Sequence, residues 1–121
     1  MKDILIVGLG GFLGSMIRYA TYVATAKYFS DKLYSSTLIV NLLGCLLIGL
    51  LSGAFIKTNN QLGLFLVAGF CGGFTTFSTF ALDGFKLLKS GLIFQFVIYS
   101  SASMVGGLIL CLAGFYLTNK S

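Results

Sequence analysis

The run Gly69-Phe70-Cys71-Gly72-Gly73-Phe74-Thr75-Thr76-Phe77-Ser78-Thr79-Phe80 decides how the rest of the chain is read. It lies inside an apolar segment covering residues 62–85. A membrane helix at that depth is ordinarily rich in Leu, Ile and Val. Here a Gly-Gly pair is followed by two β-branched threonines and then Ser-Thr. Glycine costs about 1 kcal/mol relative to alanine in a helix. Ser and Thr side chains offer the backbone competing hydrogen bonds. The two glycines and the polar run after them therefore read as a helix break. Non-helical backbone is tolerated in a bilayer only where it is buried in protein or lines an aqueous cavity. Transporters place their ion sites at interrupted helices near the midplane.

The surrounding composition supports a membrane setting. Of 121 residues, 57% are hydrophobic, 9% are charged and none is proline. Soluble domains carry about 25% charged residues. The net charge of +5 comes from scattered basic residues rather than a cluster, which argues against nucleic-acid binding. Histidine and glutamate are absent, and Asp3, Asp31 and Asp83 lie near segment ends. Most general acid–base and metal-ligand chemistry is thereby excluded. Cys45, Cys71 and Cys111 fall inside apolar segments and read as small packing residues.

Four apolar segments emerge at residues 4–26, 37–56, 62–85 and 92–117. Each reaches the ~20 residues a helix needs to cross a hydrocarbon core. The connectors are short, polar and lysine-bearing, so the chain reads as one four-helix unit with both termini on one side. Lys2, Lys57 and Lys120 fall on one side, and Lys27, Lys32, Lys86 and Lys89 on the other. So even a split specifies orientation weakly. Either the chain inserts one way regardless, or it inserts both ways and two copies pair antiparallel. Four helices enclose a polar pathway with difficulty and eight do so more easily, which favours the pair. Gly10/Gly14, Gly49/Gly53, Gly69/Gly73 and Ser103/Gly107 have small-xxx-small spacing, suited to close helix packing in lipid.

Several polar groups sit at depth. Arg18 follows the glycines of the first segment; it either draws anions into a vestibule or snorkels to the interface beside Tyr19 and Tyr22. Asn41 can bond the broken helix or meet an ion. Tyr99 and Ser103 share a helical face and form either a hydroxyl ladder or an interhelical contact. Phe74, Phe77 and Phe80 recur every three residues, as packing or as ring edges facing an anion. Without a carboxylate at the midplane, a proton relay is disfavoured. Hydroxyls, amides, helix N-termini and ring edges suit a small dehydrating anion. The break also frees carbonyl oxygens able to hold one structural cation.

These residues resemble the Fluc/CrcB family of fluoride channels. The resemblance rests on Gly10-Gly11-Phe12-Leu13-Gly14 with Arg18-Tyr19, on Thr37-Leu38-Ile39-Val40-Asn41, and above all on the run 69–80. It implies an all-α membrane protein of four transmembrane helices with a broken third helix, working as an antiparallel, dual-topology dimer with two pores. It implies passive export of cytoplasmic fluoride, lowering its toxicity, through the plasma membrane of a prokaryote. Gly72 and Thr75 would offer backbone carbonyls to a structural Na⁺ at the dimer interface. Phe77 and Phe80 would line the pore with Asn41, Ser78, Thr79, Tyr99, Ser103 and Thr37, and Arg18 would sit by the vestibule. The partner would be a second, oppositely inserted copy or a paralogue. Asp83 stands where glutamate is expected, and Gly107 where the polar track can continue with serine.

Three other readings fit less well. A proton-coupled multidrug exporter needs an embedded carboxylate, usually glutamate; this chain has no glutamate and its aspartates lie near span ends. A membrane assembly subunit has no use for Gly-Gly-Phe-Thr-Thr in a buried helix. An enzyme would need a nucleophile–base pair or a metal cluster, and neither is visible.

Overall fold

The computed structural model describes residues 1–28, 33–55 and 61–119, with only the backbone of 33–35. Asp31, Lys32, Ile56, Lys57 and Lys120 lie outside the described residues. Helix is the only open-ended structure that satisfies its own backbone in hydrocarbon, and the long apolar runs comply. Helix α1 is Lys2–Tyr28 and α2 is Leu33–Phe55. Helix α3 covers 61–74, α4 is Phe77–Lys89 and α5 is Ile93–Thr118. Among the described residues, four stretches are long and apolar enough to cross a membrane, at Lys2–Tyr28, Ser36–Phe55, Gln61–Lys89 and Ile93–Thr118. The third of them comprises α3 and α4. Each outruns its apolar segment by one to four residues at one end or both, because helical hydrogen bonding continues past the last apolar side chain into polar ground. The chain is a multi-pass, all-helical membrane protein.

Glycines set the packing. Helix α1 lies on α3, and α2 lies along α5. A Cβ at Gly10 would meet the Phe65 carbonyl, and one at Gly14 the Phe70 carbonyl and, at 2.8 Å, the Phe74 nitrogen. From the other side, a Cβ at Gly69 would stand 2.8 Å from the Val7 carbonyl, and one at Gly73 would strike Gly11. The α2–α5 seam repeats the device. A Cβ at Gly114 would lie 2.6 Å from the Leu46 carbonyl, and one at Gly49 would collide with Cys111. Thr118 closes the seam by donating its hydroxyl to the Leu50 carbonyl at 2.7 Å. With little hydrophobic drive between helices in lipid, such backbone approach supplies much of the association energy.

The turn from α4 to α5 is a Schellman cap. Leu92 N–H donates to the Leu87 carbonyl at 2.9 Å and Gly91 N–H to the Leu88 carbonyl at 3.0 Å. Gly91 adopts φ +76°, a conformation that favours glycine.

Gly14→Ala should lower stability by about 1–3 kcal/mol, the usual range for overpacking. Gly8→Ala, where a Cβ meets nothing within 4 Å, should be neutral or slightly stabilising. Thermal unfolding of the two variants in detergent checks both.

Candidate functional site

The third span changes course at Thr75 and Thr76. The last α3 residues, including Gly72 and Gly73, stay helical. Thr75 then takes φ −85°, ψ 159° and Thr76 φ −150°, ψ 121°, both extended. Within the glycines and polar run read as a break, the departure from helix falls on the two threonines rather than on the glycines. Gly73 is held helical by its contact with Gly11, so packing overrides its intrinsic weakness. β-Branched threonine accepts extended backbone readily.

Several of the backbone groups stranded by this excursion find partners. Thr75 N–H still donates to the Cys71 carbonyl at 3.0 Å, and the Thr75 hydroxyl donates to the same oxygen at 2.9 Å. Asn41, on α2, takes both groups of Thr76. Its Oδ1 accepts from Thr76 N–H at 2.8 Å, and its Nδ2 donates to the Thr76 carbonyl at 2.9 Å. Helix α4 then restarts with Thr76 as N-cap: the Thr76 Oγ1 accepts from Thr79 N–H at 3.2 Å and reaches the Ser78 and Thr79 hydroxyls, each at 3.2 Å. Thr76 is buried. It is the residue the sequence reading passed over, although Thr-x-x-Thr before a helical run is an N-cap signal.

Beside the excursion lies a cavity of about 350 Å³. Asn41, Thr75, Thr76, Phe77, Phe80 and Ser103 line it, with Gly44, Cys45, Ile48 and Met104 supplying the apolar wall. The first turn of α4 begins there, so its unbonded N–H groups carry the positive end of the helix dipole to the cavity. The Ser103 Oγ is buried without a hydrogen-bond partner among the described residues. It belongs to a stretch, Ala102–Gly106, whose turns widen to π-type geometry, a form frequent at functional sites.

The aromatic residues divide. Phe74 precedes the extended pair, is buried and stacks on Phe70 at a centroid distance of 5.9 Å. It therefore leaves the stripe that its three-residue spacing suggests, because two extended residues reset the helical phase. Phe77, Phe80 and Tyr99 form the run instead, with centroids 5.8 and 5.2 Å apart. Phe77 is 79% exposed on the single chain. The Tyr99 hydroxyl donates to Asp83 Oδ2 at 3.2 Å, and both residues are buried. Thr37 is buried against the same hydroxyl.

Of the remaining candidates, Ser78 and Thr79 sit on the first turn of α4, with Ser78 exposed. Gly72 is exposed and open, outside the cavity. Arg18 is half-buried on α1, also outside it. Among the described residues there is no group of three or more His, Cys, Asp or Glu suited to a metal.

Four spans and a cavity of rings, hydroxyls and a helix N-terminus, with no carboxylate on its wall among the described residues, fit a small helical membrane protein of the ion-conducting class. Residues 5–115 match the family described as CrcB-like protein, Camphor Resistance (CrcB), and the chain belongs to that family. It is 44% identical over 115 residues to a protein of Pseudomonas putida named fluoride-specific ion channel FluC, covering 93% of each chain. A Bacteroides fragilis protein of the same name is 43% identical over 122 residues, covering 97% of this chain and 96% of its own. A third, from Azobacteroides pseudotrichonymphae, is 36% identical over 121 residues, covering 98% and 97%. With relatives named as ion channels throughout this set, the chain is not an enzyme.

Asn41→Ala leaves the two Thr76 backbone groups unpaired in a buried setting. Stability should fall by about 1–3 kcal/mol for each group that finds no substitute. Thr76→Val, which removes the cap but keeps the shape, should cost about 1 kcal/mol. Unfolding in detergent ranks the two.

Proposed function

We propose that this chain is a subunit of a fluoride channel that lets cytoplasmic fluoride leave passively down its electrochemical gradient. The observation that carries the reading is the cavity at Thr75–Thr76, where phenylalanine rings and neutral polar groups converge within the third span. A fluoride ion entering it would give up water for the α4 N-terminus, the Ser103 hydroxyl and the positive edges of Phe77 and Phe80. None of these donors is a full charge, so the ion is held without being trapped. The names of the relatives supply the ion's identity. Neutral HF crosses membranes and dissociates in a less acidic cytoplasm, so an anion pore driven by the inside-negative potential relieves the accumulation. The setting is the plasma membrane of a prokaryote.

Two oppositely inserted copies form the working channel, with two pores. The exposure of Phe77 supports this, because one chain leaves that side of the cavity without a wall. A structural Na⁺ at the interface fits the carbonyls of Gly72 and Thr75. In a continuous helix their donors would be Thr76 N–H and Thr79 N–H, each four residues on. Here those donors turn to Asn41 and to the Thr76 hydroxyl instead. When bound, the ion would tie the two copies together electrostatically.

Liposomes containing only this protein should release fluoride, read by electrode, and retain chloride. Phe80→Ile should slow release by about tenfold or more, the factor that 1.36 kcal/mol of barrier represents. Sealed wild-type vesicles would refute the reading, and an unaltered Phe80→Ile rate would reduce the rings to packing. A C-terminal topology reporter should appear on both sides of the membrane. A single orientation would point to a paralogous partner.

A further inference from the structure

Past Phe80, away from the cavity, the ends of α1 and α4 meet the starts of α2 and α5. The meeting place is marked by the contact between the Thr25 and Ser36 hydroxyls and by the Tyr99–Asp83 bond. This end is polar and buried: Asp83 is 7% exposed, Tyr99 2% and Thr37 1%. An ionised carboxylate offers about four lone-pair sites. Tyr99 is the hydrogen-bond donor seen on Asp83 among the described residues.

Tyr22 reaches this group from α1. It stands four residues after Arg18 on the same helical face, and its hydroxyl lies in electrostatic range of Tyr99. Its oxygen is buried without a hydrogen-bond partner among the described residues. One turn on from Tyr22, Thr25 meets Ser36 beside the buried Thr37, so the Tyr22 hydroxyl lies in the same buried cluster as the Asp83 carboxylate. A water set between the two would satisfy both, accepting from Tyr22 and donating to Asp83. The position matters because Phe80 packs on Tyr99 at 5.2 Å. Lys27, Lys86 and Lys89 lie at the helix ends just beyond.

We propose that Tyr22 is a residue of the ion pathway: its hydroxyl and Asp83 hold between them a water that rehydrates the anion as it leaves Phe80. This rests on the fluoride-channel reading.

The test is fluoride release from liposomes for wild type, Tyr22→Phe, Asp83→Asn and the double variant, with unfolding temperatures measured in parallel. Tyr22→Phe should slow release about tenfold, the loss of one hydrogen bond to a charge-solvating water. Its unfolding temperature should be unchanged or higher, because the hydroxyl has no partner to lose among the described residues. The double variant should be no slower than the slower single one, because both remove the same water. Wild-type release with an unchanged Tyr22→Phe rate overturns this inference alone. So does a fall in unfolding temperature or a misfolded Tyr22→Phe, either of which gives the hydroxyl a structural partner, and so do multiplicative losses in the double variant. A wild type that releases no fluoride overturns the underlying reading instead.

Discussion

The amide of Asn41 bridging Thr76 is the contact on which the site depends. In water, two extended residues between helices are unremarkable, since solvent takes up the freed groups. In hydrocarbon each unpaired amide or carbonyl costs several kcal/mol. One asparagine side chain, with an acceptor and a donor set side by side, answers both groups of Thr76. No apolar residue could do this, and a charged one would add its own desolvation cost. The position of Asn41 in an otherwise apolar stretch of α2 follows from that demand.

Once Thr76 is clamped, the rest of the site follows by geometry. The chain can restart a helix with its N-terminus at the cavity, capped by the Thr76 hydroxyl. With Thr76 N–H on Asn41 and Thr79 N–H on the Thr76 hydroxyl, the carbonyls of Gly72 and Thr75 lose the donors a continuous helix would give them, while α4 begins beside the cavity. The same two extended residues shift the helical phase, so Phe74 turns into the packed core while Phe77 and Phe80 turn to the cavity.

Much of this was visible in the sequence, and the part that was not has a physical cause. Four spans are legible because a bilayer imposes length and apolarity on every residue of a segment, a signal that needs no tertiary contact. The polar run 69–80 stands out for the same reason. The location of the excursion does not, because Gly72 and Gly73 look weaker than Thr75 until the packing of Gly73 against Gly11 is known. Asn41 could be flagged as out of place but not assigned, since its partner lies 35 residues away. Asp83 looks like a span-end charge in the sequence. Its burial comes from Tyr99, 16 residues on and on another helix, and no local pattern announces it.

The distribution of charge completes the physical picture. A full positive charge in the cavity would bind fluoride tightly and release it slowly, because Coulomb attraction strengthens as the dielectric falls. Conduction needs a shallower well. Among the described residues, Lys2, Lys27, Lys86 and Lys89 sit at helix ends, where solvent moderates them, and the cavity offers partial charges. Asp83 is tied to Tyr99 and stands apart from the residues that line the cavity, so the cavity's polar character comes from hydroxyls, an amide and a helix N-terminus.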